Sequence, residues 1–583
     1  MKAITKYVWG QLAEFRGYII ASFALLMASD ILGLCSIYLY GSIINELPKL
    51  AQGGGWQNTI TFTLISIAVM VISHVIMFLR EHIDIKKYFF DVDEKIERHA
   101  MDKITMLSLG QHMKMNSSVV HETVSKGISA IGDFLRTVLF SLLPNVMYVI
   151  FSLVAISLMS WQMGFLVISL SASWMYASIR LNKSFEGKFL NLKEEDQKRS
   201  KFKSEMLRNV VSVKLGGIEQ WFTGQYSRET TRVNQISKSV WVKYSMLASL
   251  IGLIRVILNA SVLLFGVYLV YTGKENLGAF AMFVSWTSGV TGRLGSIRND
   301  LRGLARSNPS IVKYLELIAQ DPDLDETGTE ENIPFGRIHF DNVSYRYPED
   351  KNKGDRGISN VTFEIHAGET VGIVGQSGAG KSTMVKLLLR GWDPHSGGIY
   401  IDNIPLSKFS RKFRQNFAFV EQEGQLFDET IRFNLTFGMN KEVDDQTLWQ
   451  ILRDVKLEER VMSTEKGLGS MVGERGIRLS GGERQRLLMA RAMARKAKIL
   501  ILDEATSNLD VETEDSIFQS AIQKASVGST TIIIAHRFAT LKSCNRVIVM
   551  DEGKLIAFDT HEELMRYCSV YRNLVEKQNL VTA

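Results

Sequence analysis

Between Arg136 and Arg180 stand 43 consecutive residues, Thr137 to Ile179, without a single charged side chain. As one helix this run would be about 65 Å long, twice the roughly 30 Å of a bilayer's hydrocarbon core. A helix in water needs a polar face along its length, and this stretch has none. It therefore predicts two membrane spans, turning near Ser160, Trp161 and Gln162. Four further apolar runs join it: Gly17 to Asn45, broken only by Asp30; about Trp56 to Leu79; Tyr244 to Thr272, broken only by Arg255; and Asn276 to Gly292. Six spans are expected, the last with the shortest apolar run.

The basic residues orient them, because Lys and Arg concentrate in loops left on the cytoplasmic side. Nine lie between Arg80 and Arg136 and fourteen between Arg180 and Lys243, whereas the turns near residues 46–56, 160 and 273–275 carry at most one each. Both termini are expected in the cytoplasm. The first span, preceded by Lys2, Lys6 and Arg16 and by no small-residue cleavage site, is expected to be retained. The two basic segments lack loop composition: Phe185 to Val213 has no proline and one glycine, and is expected to continue the spans as helix into the cytoplasm. The acidic, Gly-bearing stretch Asp321 to Asn332 is expected to be a hydrated linker.

With 583 residues the chain exceeds one hydrophobic core, and the two halves differ in charge. Before residue 310, 33 basic residues face 21 acidic ones; after it, 35 face 40. Nucleic-acid binding is not indicated, since the basic residues alternate with membrane spans instead of lining a soluble face. Cys35, Cys544 and Cys568 are too scattered for a disulfide framework or a zinc site and are expected to be free thiols.

The second half carries a nucleotide site. The β-branched run Val371 to Val374 leads into Gly375, Gln376, Ser377, Gly378, Ala379, Gly380, Lys381, Ser382 and Thr383, then a helical stretch to Arg390. This matches G-x-x-x-x-G-K-[ST] between strand and helix, where backbone N–H groups curl round phosphate oxygens. Lys381 is placed for the β/γ-phosphates and Ser382 for Mg²⁺. Four aliphatic residues, Ile499 to Leu502, read as a buried parallel strand ending at Asp503, a second Mg²⁺ candidate, and Glu504, a candidate general base. Another strand, Thr530 to Ala535, ends at His536, placed to contact the γ-phosphate.

Leu479-Ser480-Gly481-Gly482-Glu483-Arg484-Gln485-Arg486 resembles the signature of ATP-binding cassette (ABC) ATPases. Tyr347 resembles the adenine-stacking aromatic, Gln422 the Q-loop glutamine that also reaches the metal, Glu474 the acidic element found before the signature in exporters, and Ser507 to Asp510 the D-loop. Six spans ahead of one cassette resemble a half-size type IV ABC exporter. The fold so implied is an all-α six-helix transmembrane domain over 1–315, a linker over 316–335 and an α/β P-loop ATPase domain over 336–583. The resemblance further implies ATP and Mg²⁺ as cofactors and catalysis by Glu504 and His536. It implies a second copy of the chain, or a related half-transporter, whose Ser480, Gly481 and Gly482 close over ATP held by residues 375–383, with Asp510 at the same junction. It implies a bacterial inner membrane with the cassette in the cytoplasm, membrane lipids around the spans, and a hydrophobic or amphipathic cargo.

Three departures from the family pattern are Glu421 for proline, Asn508 for alanine and Glu483 for glutamine. The first cytoplasmic segment, Gln111 to Glu122, lacks the aromatic and acidic pattern expected at a coupling helix, whereas Val211 to Glu219 resembles one; the transmission contact is expected there. Asp30 and Arg255 admit two readings: they line the translocation path, with Arg293 recognising an acidic headgroup, or they are an interhelical pair and interfacial residues. The other functional class compatible with this architecture is an ATP-gated channel or regulator.

Overall fold

The computed structural model describes residues 7, 10, 13–84, 90–115, 117–347, 357–421, 424–439, 442–473, 476, 479–503, 513–534 and 541–582. They divide into two units, one of residues 1–105 with 117–320, the other of residues 106–116 with 321–583. Among the described residues of the first half the α-helices are α1 (Arg16–Ala51), α2 (Trp56–Ile83), α3 (Phe90–Met106), α4 (Leu109–Lys114), α5 (Ser117–Thr137), α6 (Leu143–Met159), α7 (Trp161–Arg208), α8 (Val210–Leu215), α9 (Glu219–Tyr271) and α10 (Leu277–Ile318).

The long uncharged run breaks at Ser160. Its extended backbone ends α6, and its Oγ caps α7 by accepting a hydrogen bond from the Met163 N–H. Among the described residues five helical stretches are long and apolar enough to cross a membrane: Ala13–Leu50, Trp56–Ile83, Val119–Met159, Trp161–Arg208 and Glu219–Tyr271. The sixth span is α10. Its apolar run is diluted by Gly, Ser and Thr, yet it packs against α1, α5, α6 and α9 and buries Met282, Phe283, Trp286 and Val290.

The distribution of side chains suits lipid. Leu158, Leu264 and Phe165 are 70 % or more exposed, while Ser22, Ser152, Ser178 and Thr287 are buried between helices. Small and hydroxylated residues bring helices together where lipid supplies no hydrophobic drive. A Cβ on Gly278 would stand 2.0 Å from the Gly41 carbonyl oxygen, so α1 and α10 meet backbone to backbone. The Gly278 N–H donates to Asn45 Oδ1 at 2.6 Å across this contact. Asp30 lies 3.7 Å from Arg293, which also donates to Asn145 at 2.8 Å and lies over the Tyr148 ring. Asp30 thus has an interhelical partner, and it is Arg293; Arg255 is exposed.

The helices do run on past the apolar stretches. α7 has 48 residues and α9 has 53, with no proline in either.

The second unit is built on two sheets. The strands are β1 (Ile338–Arg346), β2 (Gly357–Ile365), β3 (Thr370–Gly375), β4 (Ser396–Ile401), β5 (Ile404–Pro405), β6 (Phe417–Val420), β7 (Ile499–Asp503), β8 (Thr530–Ile534), β9 (Arg546–Asp551) and β10 (Lys554–Asp559). An antiparallel sheet has the order β2-β1-β4-β5; a second, β10-β9-β3-β8-β7-β6, is parallel except for its edge strand β10. Residues from the two sheets, among them Phe340, Val361, Ile373 and Met550, share one core. That core also takes Met384, Val385, Leu387 and Leu388 of α11 (Lys381–Leu388), while a separate cluster that includes Val374, Val420 and Leu502 of the parallel sheet is covered by α12 (Ile431–Thr436), α13 (Asp445–Asp454), α14 (Glu458–Met462) and α15 (Gly481–Arg495).

One expectation is sharpened here and one is corrected. The acidic stretch after residue 320 is mostly exposed, as a linker would be, but it is tied into the second unit. Glu326 is buried and pairs with Arg414 and Arg411, the Asp325 carbonyl accepts from Arg390 at 2.7 Å, and Thr327 bridges to Ser410. Carboxylates in a charged stretch are solvated only where no guanidinium is folded against them, which composition alone does not reveal. The start of the Gln111 to Glu122 segment, discounted for its composition, belongs to the second unit, which takes in residues 106–116. Ser108 and Gln111 form a capping box for α4, Gln111 donates to the Asp321 carbonyl at 3.0 Å, and Arg411 donates to the Met106 carbonyl at 3.0 Å. A Cβ on Gly110 would stand 2.1 Å from the Gly391 carbonyl oxygen. Absence of a side chain, and not an aromatic or acidic one, makes this contact.

Candidate functional site

β3 ends where phosphate would be held. Its four central residues are buried, and Gly378 and Gly380 then adopt left-handed backbone at φ +85° and +100°. A Cβ on Gly380 would come within 2.7 Å of Ile358, so the turn into α11 needs glycine on two counts. Gly375, Gln376, Ser377 and Ala379 complete the loop, and α11 begins at Lys381 with its first N–H groups directed toward it. Lys381 is buried, and its Nζ donates to the carbonyls of Gly375 at 2.7 Å and Gln376 at 3.0 Å. The ammonium thus lies across the loop, next to where phosphate oxygens would sit.

Ser382 is exposed, while Thr383 is buried and bonded to the Tyr347 hydroxyl at 3.3 Å. Tyr347 is held edge-on by Trp392 and Tyr345, with ring centres 5.3 and 5.2 Å away. This fixes the proposed adenine platform to the first turn of the phosphate-binding helix. Trp392 carries no motif of its own and was not read from sequence.

β7 runs parallel to β3 with β8 between them, and all four residues before Asp503 are buried. The carboxyl ends of these strands form the side of a parallel sheet where ligands bind. Asp503 and Ser382 offer hard oxygen donors of the kind Mg²⁺ takes alongside nucleotide phosphates, so the residues present fit that ion. Gln422, Glu504, His536 and Asp510, with Glu474, Ser507 and Asn508, lie outside the described residues.

The signature forms the start of α15. Ser480 is its N-cap: the Ser480 Oγ accepts from the Glu483 N–H, and the Glu483 carboxylate accepts from the Ser480 N–H at 2.7 Å. Gly481 and Gly482 form the first turn. Glu483 also meets Arg460 of α14 at 3.1 Å. Burial pushes the Glu483 carboxyl up, but the hydrogen bonds at Ser480 and the Arg460 charge outweigh it and hold the group below its ordinary value. The substitution of glutamate for the commoner glutamine is therefore matched by a cation that no motif announces.

Comparison with known proteins agrees with this geometry. Residues 19–294 match the model of the ABC transporter transmembrane region, and residues 358–507 match that of the ABC transporter ATPase. The chain is 32 % identical over 438 residues to an ATP-dependent lipid A-core flippase of Bordetella avium, covering 74 % of this chain and 73 % of that protein. It is 27 % identical over 540 residues to the uncharacterized ABC transporter ATP-binding protein YwjA of Bacillus subtilis, covering 91 % and 92 %. A bacterial Atm1-family ABC exporter with ATP bound has the same fold, with a TM-score of 0.83 at 22 % identity over 97 % of this chain and 99 % of that one. Six spans, one cassette and these matches make the chain a member of the ABC transporter family, a half-size exporter of the type IV architecture that couples ATP hydrolysis to transport.

Proposed function

We propose that two copies of this chain form the working exporter, with two composite ATP sites, and that it moves a hydrophobic or amphipathic substrate out across the membrane or between its leaflets. The observation that carries this reading is the pairing of a nucleotide-shaped loop at Gly375–Lys381 with a capped signature helix at Ser480 that belongs to a separate element of the same unit. In each site one chain supplies the loop, Tyr347 and Lys381; the other supplies Ser480, Gly481 and Gly482, whose helix N-terminus directs N–H groups at the γ-phosphate. Closure is therefore a dimer event.

Mg²⁺, when bound with ATP, neutralises phosphate charge; Ser382, Asp503 and Gln422 would hold it. Glu504 orients and deprotonates the attacking water, and His536 contacts the γ-phosphate. Asp510 lies at the junction of the two cassettes. The second copy is this chain or a related half-transporter, the membrane is the bacterial inner membrane, and the cassette is cytoplasmic. The domain assignment proposed from sequence, 1–315, 316–335 and 336–583, places the membrane pathway in the first part and hydrolysis in the last.

Purified full-length protein in lipid nanodiscs tests the reading. The wild type is expected to hydrolyse ATP in a vanadate-sensitive way. Glu504→Gln should bind ATP but turn over at least about tenfold more slowly, within the range typical of a lost general base. Unchanged hydrolysis would remove Glu504 from this role.

A further inference from the structure

Beyond the apolar stretches of α7 and α9, on the side that the basic residues assign to the cytoplasm, an arginine sits in an aromatic box. The Arg302 guanidinium of α10 lies 4.4 Å from the ring centre of Trp241, 4.9 Å from Tyr244 and 5.1 Å from Phe189. The three rings touch one another at 5.1 to 5.9 Å. Arg306, one turn further on, lies 5.9 Å from the same Trp241.

Arg302 is half-buried, and an arginine drawn into such a box is ordinarily matched by a carboxylate. Among the described residues Arg302 makes no ion pair, and its Nε and Nη2 are buried without a hydrogen-bond acceptor. The rings stabilise the cation through their faces and the Tyr244 hydroxyl offers one acceptor, but Nε and Nη2 are left without one. Charge and donors are both left over, which is costly unless an acceptor arrives.

A cavity of about 300 Å³ opens at this place. Lys183, Lys193, Arg302 and Arg306 line it against one carboxylate, Glu186. Ile179, Leu190 and Leu301 form an apolar wall on the same cavity. A second cavity, about 420 Å³, shares Phe189, Lys193 and Arg306 and adds Trp241; the Arg199 and Asp196 that also line it pair with each other. The cation excess survives this pairing. Ile179 is the last residue of the uncharged run, so the apolar wall begins where the membrane ends.

We propose that this cavity binds an amphiphile with an anionic head and an aliphatic chain: the head on Arg302, Arg306 and Lys193, the chain along Ile179, Leu190 and Leu301. As the cargo-loading site it rests on the exporter reading; as a binding site it does not. An anion supplies both acceptors and countercharge for Arg302, whereas a neutral hydroxyl head supplies a weaker acceptor and no charge, and a cationic head is repelled. The position at the cytoplasmic boundary admits a ligand from the inner leaflet or from solution, and the two sources share this chemistry.

The test is direct binding of decyl phosphate to the full-length protein in phosphatidylcholine nanodiscs without nucleotide, with decanol as the uncharged control. Arg302→Gln is expected to raise the Kd for decyl phosphate by about tenfold or more, as loss of a charge-assisted contact would, while the Kd for decanol stays within about twofold. Lys193→Gln combined with Arg306→Gln changes exposed positions only and should weaken decyl phosphate in the same sense. Unchanged decyl phosphate binding in both variants, or an equal loss for decanol, overturns the site. Competition by phosphatidylglycerol in the bilayer assigns the ligand to the leaflet, and no competition assigns it to solution; either way the arginine dependence upholds the site. Arginine-dependent binding in a protein without ATPase activity would leave the site standing and remove the exporter reading; Glu504-dependent ATPase with no such binding would do the reverse.

Discussion

At the scale of single residues, Glu483 shows what a family pattern leaves out. A carboxylate at the N-terminus of the signature helix strengthens its own helix, yet in the proposed site it places negative charge where the γ-phosphate would approach. Arg460, 46 % exposed, offsets that charge across 3.1 Å. Arg460→Ala is expected to raise the KM for ATP about three- to fivefold, the size of an interaction near 1 kcal/mol at a partly exposed helix end. Adding Glu483→Gln should restore it, because there is then no charge to balance. If the double variant is no better than Arg460→Ala, the pair has only a structural role. The cysteines give a second residue-scale prediction. Burial pushes the Cys544 thiol up to about 12, so a maleimide at pH 8 should leave it unmodified in folded protein and label it after denaturation. Mass spectrometry of tryptic peptides reads this directly.

Elements were legible where one physical term dominated. The turn near Ser160 and the strand-loop-helix at Gly375 each followed from a requirement that no neighbour could relax: bilayer thickness for the uncharged run, and glycine backbone freedom for the loop. The docking of α4 was not legible, because it depends on Gly110 and on the carbonyls of Asp321 and Gly391, which lie more than 200 residues away in sequence. Trp392 and Arg460 were missed for the same reason: their roles are set by partners in space. Gly110→Val should force α4 off this surface. Substrate-stimulated ATPase is then expected to fall toward the unstimulated rate while ATP binding persists, and stimulation curves for both proteins would show it. At the paired strands β3 and β9, Arg546 donates to both oxygens of Glu369, at 2.5 and 2.7 Å. Burial raises that carboxyl, but the hydrogen bonds from Arg546 and from the His366 N–H outweigh it and keep it below its usual value. A lowered pKa means the pair stabilises the fold above the unfolded carboxylate pKa and is lost as pH falls through the folded value. Thermal unfolding followed from pH 7 to pH 4 should therefore show a smaller acid-induced drop in Tm for Glu369→Gln than for the wild type.

For the whole molecule the decisive property of the proposed dimer is that the loop and the signature of one site come from different copies. Neither a Lys381→Ala homodimer nor a Ser480→Arg homodimer has an intact site. Their mixed dimer has one site bearing both lesions and one bearing neither. Co-expression should restore about a quarter of wild-type ATPase, half of the dimers being mixed and each having one working site of two. Activity no higher than that of the parent variants would show that the sites are not shared in this way.

The length of α7 has a mechanical meaning. From Arg180 to Arg208 it extends about 42 Å beyond its apolar part, at 1.5 Å per residue and without a proline to bend it. A tilt of about 10° at the membrane end would sweep the far tip through roughly 7 Å, more than one helical turn. Such a helix would act as a lever arm, a modest rotation within the bilayer corresponding to a large displacement outside it. Shortening α7 and α9 together by two turns at their far ends, beyond Arg199 and before Val233, would lower that gearing without touching the residues that line either cavity.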